Sequence, residues 1–143
     1  ELSFLAERYH QLKNELNTQN LFHQTIISDY YLSKSLIFAE INLPEDEFSL
    51  YKNLYSIIHQ KVLKPSLYIY LHSNVDRLKR NINSRGRSYE LNIENAYLEN
   101  IQAGYSSFIN QQNEFPVLLI NTSNIDFVNS EADFKRILRK KIR

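Results

Sequence analysis

The 143 residues contain no cysteine, methionine or tryptophan, and only two glycines and three prolines. Without cysteine there is neither a disulfide framework nor a thiolate metal site. With glycine confined to Gly86 and Gly104, these residues contain no Gly-rich phosphate loop. Charge of either sign is not in excess: 17 basic residues face 16 acidic ones, for a net +1. Neither a nucleic-acid face nor a membrane surface is implied. No apolar run reaches the roughly 18 residues of a membrane span, and the N-terminal pattern is an amphipathic helix rather than a signal peptide. An intracellular, cytoplasmic protein is the expectation. The missing initiator methionine points to a piece of a longer protein. What the chain does hold is aromatic: ten tyrosines and eight phenylalanines suggest a core built on rings. The length suits one ordinary domain.

The apolar spacing sets the order of elements. Leu5, Tyr9, Leu12 and Leu16 recur at helical intervals and predict a helix over residues 1–19. The β-branched run Gln24-Thr25-Ile26-Ile27-Ser28, ending at Asp29, reads as a buried strand, with a helix over 31–41 after it. Pro44 followed by three acids marks the start of the next helix, whose apolar face is Phe48, Tyr51, Tyr55 and Ile58. A second strand is expected at 66–71 and a helix at 74–84. Leu98, Ile101, Tyr105 and Phe108 define a long helix, followed by a third strand at 116–121 and a last helix at 131–142. Continuous apolar strands separated by helices indicate an α/β domain with a parallel sheet covered on both faces.

Two places carry chemistry. Arg85-Gly86-Arg87-Ser88-Tyr89-Glu90 sets two guanidinium forks around a residue at which the backbone can bend sharply. Such forks match phosphate oxygens bidentately, although an exposed helix C-cap with ordinary surface arginines reads the same in sequence. Asp29 ends an expected strand, where functional groups of parallel sheets gather. It suits either a general base with Lys34 as a charge partner or the N-cap of the following helix. His72 and Ser73 read as cap or loop residues, and His10, His23 and His59 lack metal-ligand spacing. The basic run Arg139-Lys140-Lys141-Ile142-Arg143 fits a helix C-terminus and a solvated tail.

Taken in order, Ile26-Ile27-Ser28-Asp29-Tyr30-Tyr31-Leu32-Ser33-Lys34-Ser35-Leu36-Ile37-Phe38-Ala39, Lys64-Pro65-Ser66-Leu67-Tyr68-Ile69-Tyr70-Leu71, the arginine hexapeptide, and Asn121-Thr122 with Ile125-Asp126-Phe127-Val128 resemble the bacterial deoxynucleoside kinases. The resemblance runs along essentially the whole chain. It implies a P-loop-kinase-like fold and ATP- and Mg²⁺-dependent phosphorylation of a deoxynucleoside 5′-hydroxyl, acting in nucleotide salvage. It further implies a homodimer formed through helices. In its terms Asp29 is the base, Arg85 and Arg87 are lid arginines closing over the phosphates, and Glu90 reaches the sugar 3′-hydroxyl. Tyr30 stands where many relatives carry arginine, as in purine deoxynucleoside kinases. Ile125, Asp126 and Phe127 border the adenine of the phosphate donor, and Lys34 and Arg8 wall the deoxynucleoside pocket.

Two departures accompany the resemblance. Asn81 occupies a position, four before Arg85, where relatives often have arginine, and the adjacent Arg80 points about 100° away on a helix. The family's first strand, phosphate loop and leading helix have no counterpart in these residues, which would be the C-terminal two-thirds of one kinase domain. With them are missing the Mg²⁺-linked hydroxyl and the phosphate lysine, so these residues alone are expected to be inactive. A gap in the sheet would also leave strand edges and apolar faces exposed. Two other readings compete: a thymidylate-like nucleoside monophosphate kinase, in which Asp-Arg-Tyr is usual where Asp29-Tyr30-Tyr31 stands here, and a non-catalytic interaction domain of kinase fold.

Overall fold

A computed structural model describes residues 2–17 and 25–139. These form two compact units, residues 1–63 and 64–143. In chain order the elements are α1 (Leu2–Asn17), α2 (Ser33–Asn42), α3 (Glu45–His59), β1 (Tyr68–His72), α4 (Val75–Arg85), α5 (Asn95–Gln111), β2 (Val117–Asn121) and α6 (Glu131–Leu138).

The first unit is a helical cluster. Leu5 and Leu12 of α1, Leu32 and Ala39 beside and within α2, and Tyr51 and Tyr55 of α3 are buried against one another, with Tyr9, Phe48 and Ile58 packed around them. Each large side chain so buried contributes about 1.5–3 kcal/mol. The spacing read from the sequence therefore identifies the core face of α3 and, through Leu5, Tyr9 and Leu12, that of α1; the Leu16 side chain lies outside the described residues. Helix α3 begins right after Pro44, with Glu45, Asp46 and Glu47 in its first turn, where the dipole favours acids. Helix α2 is enclosed on most of its circumference: only Lys34, Glu40 and Asn42 are exposed.

The expected strand before Asp29 is not formed over its described residues. Gln24 lies outside them, and residues 25–28 have no ladder partner. Ile26 is 60% exposed and Ile27 94%. A strand needs a neighbour's amide and carbonyl groups. Here the Ser28 hydroxyl instead donates to the Tyr30 carbonyl (2.7 Å) and accepts the Tyr30 amide (3.2 Å), a local turn that competes with extended pairing.

The second unit is α/β. β1 and β2 pair in parallel, with Tyr68 opposite Val117 and His72 opposite Asn121. The sheet is parallel, as the apolar runs imply, but has two strands rather than three among the described residues. Helix α5 covers one face: Tyr105 stacks on Tyr70 (5.0 Å between centroids) and Phe108 meets Tyr68 edge-on (6.3 Å). On the opposite face Ile120 is buried, whereas Ile69 and Leu71 are about half exposed, so coverage there is incomplete. The final helix is described to Leu138, shorter than the expected 131–142; residues 140–143, most of the basic run, lie outside the described residues, as does His23. No helix among the described residues is long and apolar enough to cross a membrane.

Candidate functional site

The arginine hexapeptide is built by the end of α4. Asn74 caps that helix by accepting the Arg77 amide (3.0 Å), and Gly86 ends it in the left-handed region (φ 65°, ψ 21°). The Gly86 amide bonds back to the Ile82 and Asn83 carbonyls, a C-terminal closure that glycine adopts at little cost. Arg85 is the last residue of α4 and Arg87 the first after the bend, so the reversal brings both guanidiniums to one carboxylate. Arg87 Nη1 donates to Glu90 Oε1 at 3.1 Å, and Arg85 Nη1 lies 3.8 Å from Glu90 Oε2. Both arginine side chains are 53% exposed, against 14% for Glu90. The hydrogen bond that Arg87 donates to Glu90 raises the Arg87 pKa, with the nearby Tyr89 adding to it. Two half-exposed forks converging on one anion are the arrangement that binds phosphate oxygens. Gly86 is the C-cap of α4, and the cap brings both arginines to Glu90. Asn81 and Arg80 are both exposed on α4.

The same unit ties its strand ends to a turn. The His72 carbonyl accepts from the Thr122 amide (2.7 Å) and hydroxyl (2.9 Å). The Asn74 amide donates to Ser123 Oγ (2.9 Å), and Arg77 Nη1 donates to the Ser123 carbonyl (3.0 Å). Ser73 is buried, a loop residue as expected. Beyond this turn, Asp126 accepts hydrogen bonds from the amides of Val128 and Asn129 and from the Asn129 side chain. The Asn129 side chain, followed by its backbone amide, lowers the Asp126 pKa below the ordinary 3.8. Ile125 is buried and Phe127 is 36% exposed.

In the first unit Asp29 sits on an exposed bend and lines a cleft of about 370 Å³ with Gln11, Leu12, Ile26, Ser28 and Tyr30. It does not cap α2, whose N-cap is Leu32 with no side-chain cap bond. The helix-cap alternative is thereby removed. Lys34 is not its charge partner: the ammonium lies over the Phe38 ring, 5.8 Å from its centroid, one turn further along α2. An i, i+4 ring on the same helix face is the nearer attraction. Arg8 lies against two rings, 5.0 Å from the Phe4 centroid and 4.9 Å from that of Tyr30, and donates to Gln11 Oε1 at 2.6 Å. The Tyr30 hydroxyl bonds Ser35 Oγ. Burial raises the Tyr30 pKa, partly offset by the Ser35 bond and by Arg8.

Sequence reasoning missed Phe4, Gln11, Ser35 and Arg77. The first two carried a signal, since Phe4, Arg8 and Gln11 are spaced at helical intervals on one face. Ser35 and Arg77 act across a turn and across strand ends, which local spacing does not reveal. His59 stacks on Tyr55 at 5.2 Å, a packing role. Among the described residues no three histidine, aspartate or glutamate side chains converge as a metal site would require.

The chain as a whole is similar to known deoxynucleoside kinases. The family model for deoxynucleoside kinase matches residues 1–142. The deoxyguanosine kinase of Bacillus subtilis (strain 168) is 34% identical over 141 residues, covering 96% of this chain and 68% of that protein. The deoxyadenosine/deoxycytidine kinase of the same organism is 27% identical over 147 residues, covering 96% of this chain and 65% of its own length. A solved structure of deoxyadenosine kinase from M. mycoides, with the product dCMP and a flexible dCDP bound, superposes with a TM-score of 0.75 at 25% identity, over 96% of this chain and 69% of that one. The chain thus spans about two-thirds of the length of these relatives. On this match it belongs to the deoxynucleoside kinase family, enzymes that transfer a phosphoryl group to a deoxynucleoside.

Proposed function

We propose that the protein phosphorylates the 5′-hydroxyl of a purine deoxynucleoside with ATP, in cytoplasmic nucleotide salvage. One observation carries the reading: Arg85 and Arg87 are turned by the left-handed Gly86 onto a single anion. The 34% identity to a deoxyguanosine kinase supports the purine preference.

In this reading the 5′-oxygen forms a bond to the γ-phosphorus as the bond from that phosphorus to the bridging oxygen breaks, and ADP leaves. Asp29 takes the hydroxyl proton. Arg85 and Arg87 exchange Glu90 for phosphate oxygens and offset charge that grows in the transition state. Glu90, so released, accepts from the sugar 3′-hydroxyl. Arg8 and Tyr30 wall the deoxynucleoside cleft, with Lys34 on the helix behind. Ile125, Asp126 and Phe127 border the adenine of ATP, where the half-exposed Phe127 ring offers a stacking face. Mg²⁺ would neutralise the triphosphate. The described residues do not form a site for it, so their own contribution to charge is the arginine pair. A polypeptide of these 143 residues alone is expected to be inactive for want of a phosphate loop. Leu50, Leu54 and Ile57, exposed along one side of α3, supply an apolar stripe of the kind helical homodimers bury.

The test is a panel of deoxyguanosine, deoxyadenosine, deoxycytidine and thymidine offered to the full-length protein with ATP and Mg²⁺. Formation of purine 5′-monophosphates fastest supports the reading. Preference for a pyrimidine overturns the base assignment, and phosphorylation of a monophosphate instead favours the thymidylate-like alternative.

A further inference from the structure

Arg8 is immobilised more thoroughly than a half-exposed arginine on a helix requires. Its guanidinium sits in the corner formed by two rings, Phe4, one turn earlier on α1, and Tyr30, from the segment before α2. The two rings also meet each other edge-on, 6.3 Å apart at 82°. Nη1 is fixed on Gln11 Oε1 at 2.6 Å. Tyr30 is itself held at both ends, its amide by Ser28 Oγ and its hydroxyl by the buried Ser35. Gln11 and Tyr30 line the cleft that Asp29 borders. A free arginine samples many rotamers, and ordering one on binding costs affinity; an arginine already ordered avoids that cost.

We propose that Phe4 and Tyr30, the latter anchored through Ser35, are positioning residues that clamp Arg8 beside the deoxynucleoside cleft, so that its remaining N–H donors meet acceptor atoms of the ligand in one orientation. The ligand's identity rests on the kinase reading, whereas the immobilisation does not. Because Arg8 is held by Gln11 and Tyr30, two residues that line the cleft, the clamp should act on deoxynucleoside binding and appear in KM more than in kcat.

The experiment uses the full-length protein and steady-state kinetics. Tyr30→Leu should raise KM for the deoxynucleoside roughly 5- to 20-fold, the worth of one desolvated cation–π contact, with kcat and KM for ATP within about twofold. Tyr30→Phe keeps the ring and loses the Ser35 anchor, so its KM should rise only a few-fold. In an Arg8→Ala background Phe4→Leu should add nothing, because Phe4 does not line the cleft and its effect passes through Arg8, whereas Tyr30→Leu keeps the part of its effect that comes from lining the cleft. Phe4 is 38% exposed, so Phe4→Leu repeats the test at little risk to folding. NMR relaxation of the Arg8 Nε–H group gives a readout independent of activity: ordered in the wild type, mobile in Tyr30→Leu and Phe4→Leu. An additive KM loss from Phe4→Leu in the Arg8→Ala background, or an Arg8 that stays ordered in both variants, would overturn the clamp. If no deoxynucleoside is phosphorylated at all, the kinase reading falls while the relaxation still decides the clamp.

Discussion

Substitution of Gly86 tests fold and function together. The residue holds φ 65° and ψ 21°, and a Cβ built there meets no atom within 4 Å. The cost of a side chain is therefore conformational and not steric. The left-handed region costs an L-residue about 1–2 kcal/mol. Part of this returns because the unfolded chain loses glycine's freedom, worth about 0.4–1 kcal/mol. Gly86→Ala should accordingly destabilise by about 1 kcal/mol, or about 2–4 °C in Tm for a domain of 150–250 residues. Gly86→Val should cost more, since β-branching disfavours the left-handed region further, and Gly86→Asn least, since asparagine tolerates it. Escape from the strain means continuing α4, which would swing Arg87 by about 100° and 1.5 Å, away from its 3.1 Å contact with Glu90. Urea denaturation of the full-length protein measures the first effect and kcat the second. The order Asn, Ala, Val should hold in both. A valine variant as stable and as active as the wild type would refute the reasoning.

Asp29→Asn should lower kcat by about 10²–10⁴-fold while changing deoxynucleoside binding far less, because the amide cannot take the proton. With Leu32 at the N-cap of α2, no capping role complicates the result, and unchanged kinetics would remove Asp29 as the base. Asp126 should titrate below its ordinary 3.8, since its hydrogen bonds from Asn129 and Val128 favour the charged form. A folded-state pKa below the unfolded one gives stability that is present above pH 3.8 and lost as pH falls through the lower folded value. Carboxyl-carbon NMR shifts against pH check this, and Asp126→Ala should abolish the effect; titration at or above the ordinary value would contradict it.

Helices were the most legible part of the sequence, and the reason is physical. Tyr51, Tyr55, Leu5 and Leu12 recur at the helical period because each helix buries one face, and those faces form the core. The arginine bend was legible because glycine followed a helical pattern, which is a C-cap signal in its own right. The segment before Asp29 was not. Its β-branched run has strand propensity, yet a strand exists only with a partner, and residues 25–28 have none among the described residues. Lys34 was assigned by proximity in sequence, while the Phe38 ring four residues on holds the ammonium. The surroundings of Arg8 depend on Tyr30 arriving from another segment, a tertiary contact invisible to spacing along α1.

The central claim is that the arginine pair grips the transferring phosphoryl group, and Arg85→Lys and Arg87→Lys in the full-length protein test it most directly. Lysine keeps the charge and suits a helix C-terminus, but it lacks the planar fork. An arginine of this role is worth about 10³–10⁵ in rate, so even partial impairment should be plain in kcat, with little change in Tm or in deoxynucleoside KM. A large kcat loss is expected in both lysine variants. Two variants with wild-type kcat would mean that Arg85 and Arg87 only finish a helix and pair with Glu90.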